Sequence, residues 1–190
     1  MDAVFPLATR YGGVVVALCL DEGGIPETAE GRLAIAEKIY RKAASYGIGP
    51  EDILIDGLCL TVSSDSKGAL TTLETLRGVR DRLGGKTILG VSNISFGLPQ
   101  RDNINAAFFT LALESGLSAA IINPNSEAMM GAYRAYRALA GLDDQCQAYM
   151  EAFQGETASS RLPCRRPIPW GCASRYARAS RKGLRPRPRF

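Results

Sequence analysis

Histidine is absent from all 190 residues. That absence excludes a Ser-His-Asp triad, a Cys-His nucleophile pair and any His-ligated zinc or cobalt site within the chain. Cysteine occurs only at Cys19, Cys59, Cys146, Cys164 and Cys172, with no CxxC pair. An odd number of thiols, with no basic start and long apolar stretch over Met1 to Arg10, predicts a cytoplasmic chain with reduced cysteines. No apolar run approaches the ~18 residues that a membrane span needs. The phosphate-cradling patterns GxGxxG and GxxxxGK[ST] are missing too, so no nucleotide loop is expected. What is present is ordinary globular chemistry, 46% apolar and 22% charged, in a length that supports one domain with a real core.

The net charge of +4 joins two unlike pieces. Residues 1–154 carry 13 Lys+Arg against 18 Asp+Glu, a net −5, whereas residues 155–190 carry 10 against 1, a net +9. Any basic surface for nucleic acid therefore has to lie in the last 36 residues.

Four times, an apolar β-branched run is followed by a cluster of Gly, Pro, Asn or Ser and then by helical spacing. The runs are Gly13 to Leu20, Ile53 to Leu58, Lys86 to Val91 and Ser118 to Ile122. The spacing predicts a helix from about Ala29 to Tyr46, with Leu33, Ala36, Tyr40 and Ala43 on one face. It predicts a second helix carrying Leu70, Leu73, Leu76, Val79 and Leu83, and a third carrying Ile104, Phe108 and Leu111. The last runs from about Glu127 to Ala140 with Ser126 as its cap, and Ala3 to Tyr11 ends a helix before the first run. The runs are continuous rather than alternating, as in strands covered on both faces. Strands joined by single helices run parallel, so the class is α/β, built of repeated βα units. Unit length alone leaves a doubly wound sheet and a (β/α)8 barrel both open, and in either one ligand groups gather at the carboxyl ends of the strands.

Those ends carry Asp21 and Glu22, then Asp56, then Ser92, Asn93 and Ser95, then Asn123 and Asn125. Asp56 interrupts the apolar ILIDGLCL, where a carboxylate needs donors; it either meets the N–H groups of a ligand or caps the following loop. The amide of Asn93 can donate and accept, which suits a ring nitrogen whose protonation changes, or it closes an Asx-turn. Arg101 either holds an anionic tail or is a solvated surface arginine. Phe96 offers a ring face to a flat ligand or packs its loop. Cys19 and Cys59 lie inside apolar runs, where a thiol is ordinarily a small core residue. Together the rim favours a flat, polar heterocycle.

Taken in order, LDEGGIPETAEGRLAIAEKI, ILIDGLCLTVSSD, GGKTILGVSNISFGLPQRDNINAAFF and GLSAAIINPNSEAMM resemble the pterin-binding domain of cobalamin-dependent methionine synthase and of methyltetrahydrofolate:corrinoid methyltransferases. The resemblance covers about residues 1–153 and implies a (β/α)8 barrel that holds methyltetrahydrofolate at its carboxyl-terminal rim. The N5-methyl group passes from there to a corrinoid cobalt on a partner domain or protein. Carried over onto these residues, Asp56 accepts hydrogen bonds from the pterin ring, Asn93 stands by N5 and is the catalytic residue, and Arg101 helps hold the folate. No metal site is expected in this chain. Dihydropteroate synthases share the superfamily, but SNISFGLPQR and IINPNS do not resemble their motifs.

The resemblance begins at the helix before the family's fifth strand. The expected architecture is therefore a partial TIM barrel of four parallel βα units, a C-terminal half whose two border strands are exposed and whose complement is either the missing N-terminal half-barrel or a second copy. The DxHxxG motif of a cobalamin domain cannot occur without histidine, so cobalamin belongs to a partner. From about residue 154 the chain turns Arg- and Pro-rich, which predicts a disordered tail or an out-of-frame translation of an incomplete gene. The reading from a different class is a non-catalytic half-barrel module for oligomerisation, with the Arg-rich tail binding nucleic acid.

Overall fold

In the computed structural model, which describes residues 1–154, each apolar run contributes one short strand. These are β1 (Val15–Leu18), β2 (Ile53–Asp56), β3 (Lys86–Gly90) and β4 (Ala119–Ile121). They pair in chain order, β1-β2-β3-β4, and every pair is parallel. The helices are α1 (Phe5–Tyr11), α2 (Ala29–Ala44), α3 (Gly68–Leu83), α4 (Arg101–Glu114), α5 (Glu127–Leu139) and α6 (Gln147–Phe153). Four parallel strands, with a helix before each strand and after the last, make a partial (β/α) barrel. Contacts divide the chain into a compact unit, Met1–Tyr149, and a second unit from Met150, of which the described part continues α6. The expectations for the Arg- and Pro-rich tail fall outside the described residues.

Local chemistry accounts for the boundaries. Thr28 caps α2 by accepting from the Gly31 N–H at 3.2 Å, and Ser126 caps α5 by accepting from the Met129 N–H at 3.4 Å. α3 stops at Gly84, whose φ of 62° is open to glycine without a Cβ penalty. The strands are shorter than their apolar runs because the chain turns as soon as it reaches the rim. Leu58 adopts a left-handed φ of 55°, and β3 passes directly into a 3-10 turn over Val91–Ser95.

Alternation along each strand sorts the side chains by face. Val15, Ala17, Cys19, Ile53 and Ile55 meet Leu33, Ala36, Ile39 and Ala43 of α2 and Val79 of α3 in one core cluster. Leu89 joins Leu76, Val91, Ile94, Phe108 and Met129 in a second. On α3 and α4 the expected faces are buried at Leu73, Leu76, Val79 and Phe108 but not at one end of each. Leu70 and Leu111 are exposed, and α4 buries Asn105, Phe108, Phe109 and Ala112, because the α4 face is chosen by its neighbours α3 and α5 rather than by hydrophobicity alone. α2 and α3 approach so closely that a Cβ on Gly78 would collide with Leu33.

The opposite face of the sheet is the one a closed barrel encloses. There Leu18 of β1, Asp56 of β2, Ile88 of β3 and Ala119 of β4 form one row in register.

Candidate functional site

The site begins where β2 ends. Asp56 occupies the inner-face row, half-buried, and its Oδ1 accepts from the Leu58 N–H at 2.8 Å. Burial pushes its carboxyl above the usual range, and the Leu58 N–H pulls the other way. The loop cap considered for this residue is thus present. It engages one oxygen, and the second has no protein partner among the described residues. The left-handed turn at Leu58 costs about 1–2 kcal/mol for a side chain other than glycine.

Arg32 holds that turn from below. Its Nη1 donates to the carbonyls of Gly57 at 2.8 Å and Leu58 at 3.1 Å and to Thr72 Oγ1 at 3.4 Å, while Nε donates to Pro26 O at 3.0 Å. The residue is 1% exposed, and burial draws its pKa down. Carbonyl dipoles, rather than a hydrogen-bonded carboxylate, solvate the guanidinium. Sequence reasoning missed Arg32 because a lone arginine defaults to surface. The available signal was position: Arg32, Ala36, Ile39 and Ala43 recur at the spacing of the buried face of α2.

At the end of β3 the 3-10 turn buries Val91 and Ile94 and leaves Asn93 exposed. Its main-chain carbonyl accepts from the Phe96 N–H at 3.2 Å, whereas its carboxamide has no hydrogen-bond partner among the described residues. The turn is closed by backbone, so the Asx-turn reading is not what forms it. Asn93 Nδ2 lies 3.1 Å from the position a Cβ would take on Gly90. Gly90 stands two residues beyond Ile88, the partner of Asp56, so the free amide of Asn93 and the free oxygen of Asp56 lie at the same end and on the same face of adjacent strands.

Arg101, the first residue of α4, braces the turn: Nε donates to Ser95 Oγ at 2.9 Å and Nη2 to Ser92 O at 2.7 Å, with the guanidinium 6.0 Å from the Phe96 ring centre. The Thr61 hydroxyl donates to the Phe96 carbonyl at 2.8 Å, the Ser63 hydroxyl donates to the same carbonyl at 3.0 Å, and the Val62 N–H donates to Ile94 O at 3.0 Å. The β2 and β3 rim loops are therefore stitched into one unit.

The outer rim residues have local duties. Asp21 Oδ1 accepts from the Gly23 N–H at 2.9 Å, and Asn123 Oδ1 from the Asn125 N–H at 3.0 Å, each forming its own turn. Glu22 is exposed beside the first of these turns. A polar cleft of about 520 Å³ lies between the β3 and β4 ends, lined by Ser92, Asn105, Asn123 and Asn125 among others. Cys19 and Cys59 are core residues, as expected, and burial pushes both thiols up to about 12, so neither is a nucleophile at neutral pH.

The family model for pterin binding enzymes matches residues 2–123. The chain belongs to the pterin-binding enzyme family. Methylcorrinoid:tetrahydrofolate methyltransferase of Eubacterium limosum is 35% identical over 157 residues, covering 81% of this chain and 58% of that protein. Methionine synthase of Mycobacterium tuberculosis is 31% identical over 172 residues, 81% of this chain and 14% of that enzyme. Methionine synthase of Mycobacterium leprae is 34% identical over 125 residues, 62% of this chain and 10% of that enzyme. This pterin-binding chain thus spans little more than half of the first relative and a small part of the other two. No helix among its described residues is long and apolar enough to cross a membrane.

Proposed function

We propose that residues 1–153 form the C-terminal half of a methyltetrahydrofolate-binding domain. In this reading the domain supports transfer of the N5-methyl group to the cobalt of a corrinoid, held on a partner domain or protein, in the synthesis of methionine in the cytoplasm. One observation supports it: Asp56 and Asn93, two polar side chains without complete partners among the described residues, lie at the same end and on the same face of adjacent parallel strands. The names of the relatives, which join tetrahydrofolate, a corrinoid and methionine, agree with it.

The free oxygen of Asp56 is suited to accept from the N–H groups of the pterin ring, and its partial burial makes that bond stronger than it would be in water. N5 gains positive character before its methyl group can leave, and the Asn93 amide oxygen stabilises that charge without a base. Arg101 spends two of its donor groups on Ser92 and Ser95, so it holds the folate through its remaining donors while fixing the turn that presents Asn93. The corrinoid supplies the nucleophilic cobalt; the chain's part is to bind, orient and polarise the folate.

The test is methyl transfer from methyltetrahydrofolate to free cob(I)alamin, followed by the cobalamin absorbance, together with folate titration. Asn93→Ala should lower the transfer rate by about 10²-fold with little change in folate affinity. Asp56→Asn should weaken folate binding by roughly 10- to 100-fold. Equal transfer by the Asn93→Ala variant and the unaltered chain would remove Asn93 from the chemistry.

A further inference from the structure

The turn that carries Asn93 is weakly held by its own bonds. Short 3-10 segments make hydrogen bonds of poorer geometry, and this one, Val91–Ser95, is closed by the Phe96 N–H on the Asn93 carbonyl at 3.2 Å and by the Ser95 hydroxyl on Ser92 O at 3.3 Å. Just beyond it Gly97 stands at a φ of 79°, in the left-handed region that glycine enters freely, so the Phe96–Gly97 peptide is cheap to rotate. Phe96 itself is 68% exposed. The place of Asn93 is therefore set from outside the turn.

The loop that follows β2 supplies the outside ties. Arg32 holds its Gly57 and Leu58 carbonyls, Cys59 is buried in the same core cluster as Val91 and Ile94, and the Val62 N–H donates to Ile94 O at 3.0 Å. The last tie is a pair of hydroxyls. Thr61 Oγ1 and Ser63 Oγ lie 2.9 Å apart, and both reach the Phe96 carbonyl, at 2.8 and 3.0 Å. Thr61 Oγ1 also accepts from the Ser63 N–H at 3.3 Å, which fixes the spacing of the pair. With both protons directed at one carbonyl, neither hydroxyl keeps a proton for a ligand. The loop thus starts at Asp56 and ends on the Ile94 and Phe96 carbonyls, which follow Asn93.

We infer that Thr61 and Ser63 are positioning residues: by fixing the Phe96 carbonyl they set where the Asn93 carboxamide stands relative to Asp56. The inference deepens the methyl-transfer reading and rests on it for the effect on catalysis. In that reading Asp56 holds the pterin ring and Asn93 acts on N5, so the strut between them sets how the bound ring presents N5 to the amide. A displacement of about 1 Å at a reacting centre costs on the order of 10²-fold in rate. Loss of the hydroxyls loosens the turn by less than that, because Arg101 and the Val62 N–H still hold it.

The test removes both hydroxyls, with Thr61→Val at a half-buried position and Ser63→Ala at an exposed one. Methyl transfer to free cob(I)alamin at saturating folate should fall about 10-fold, with folate affinity within about two-fold of the unaltered chain. Thr61→Ser, which keeps the hydroxyl, should keep most of the rate. In the Asn93→Ala background the same pair of changes should slow transfer by less than about two-fold, since the group being positioned is gone. Without folate, the Phe96 and Leu98 amides should exchange faster and the Asn93 carboxamide resonances should move, while the Leu58 amide, bound to Asp56, stays as it was.

In an active chain, unchanged transfer by the pair variant, a loss of folate affinity that accounts for the whole fall, a Thr61→Ser variant as slow as the pair variant, or an equal fall with and without Asn93 overturns the inference. Should the pair variant fail to fold, Ser63→Ala alone decides: it should speed exchange at Phe96, and protection equal to that of the unaltered chain overturns the inference. An Asn93→Ala variant as fast as the unaltered chain, or a chain that transfers no methyl group, defeats the methyl-transfer reading instead. The exchange rates and the Asn93 resonances then decide the positioning, and no change in them overturns it.

Discussion

The centre of the sheet and its borders are built from similar sequence and end in opposite states. At the centre, the ends of β2 and β3 are tied by Arg32 from below, by Arg101 from the side and by Thr61 and Ser63 across the gap. Each of these four side chains holds a backbone carbonyl, while one oxygen of Asp56 and the carboxamide of Asn93 are left without a hydrogen-bond partner among the described residues. At the borders, runs as apolar as those at the centre keep half of their side chains in water. A Val or Leu held half exposed forgoes on the order of 1 kcal/mol of burial. The centre leaves polar groups unfilled, whereas the borders leave apolar groups unfilled.

The strongest way to break the contrast is to cut the tie beneath β2. Arg32→Met keeps the bulk but leaves the Gly57 and Leu58 carbonyls buried without donors, and it should destabilise the fold by about 3 kcal/mol, lowering the melting temperature by roughly 6–12 °C. If Arg32 serves only packing, Arg32→Met should melt like the unaltered chain. If it also positions the site, the Leu58 amide should exchange faster and the Asp56 carboxyl, losing its Leu58 donor, should titrate higher, by carbon NMR.

A smaller effect is expected from closing the space between α2 and α3. Gly78→Ala forces the Leu33 side chain aside and should cost about 1–3 kcal/mol by chemical denaturation, without touching the rim. Smaller again is Arg101→Ala, which removes two exposed or part-buried hydrogen bonds. It should cost about 1 kcal/mol and free the amides of residues 92–96 to exchange, while β2 stays protected.

The smallest change separates stability from function. Burial raises the Asp56 pKa in the folded state, so its contribution is fully present below the ordinary value of 3.8 and is lost as pH climbs through the raised value. Ionised Asp56 is therefore a net burden on the fold near neutrality. Asp56→Asn should flatten the stability profile above pH 4 and leave the chain no less stable at pH 7, as followed by denaturation at several pH values, even as folate binding falls. A carboxylate kept at the expense of stability is better explained by a ligand than by the loop cap, which an asparagine also provides.

Much of this was legible in the sequence. The four β-branched runs, the helices between them and the cap at Ser126 are local features, governed by neighbours three or four residues away. Asp56 and Asn93 could be found because each is a polar residue at the end of an apolar run. Arg32 could not be found, since a buried guanidinium and a surface one look alike until Gly57, Leu58, Pro26 and Thr72 are brought around it. The faces expected for α3 and α4 held at Leu73, Leu76, Val79 and Phe108 and failed at Leu70 and Leu111, which are hydrophobic but lie where no neighbouring helix packs.

The sequence by itself determined which segments are strands, that they run parallel and which end carries the polar rim, because strand period, crossover length and turn chemistry act over short spans of chain. Tertiary structure alone decided that, among the described residues, Asp56 keeps one oxygen free, Arg101 braces the turn beside Asn93, and β1 and β4 are the borders of the sheet. Those outcomes depend on which groups from distant segments reach one another, and hydrogen bonds and close packing operate only at contact distance.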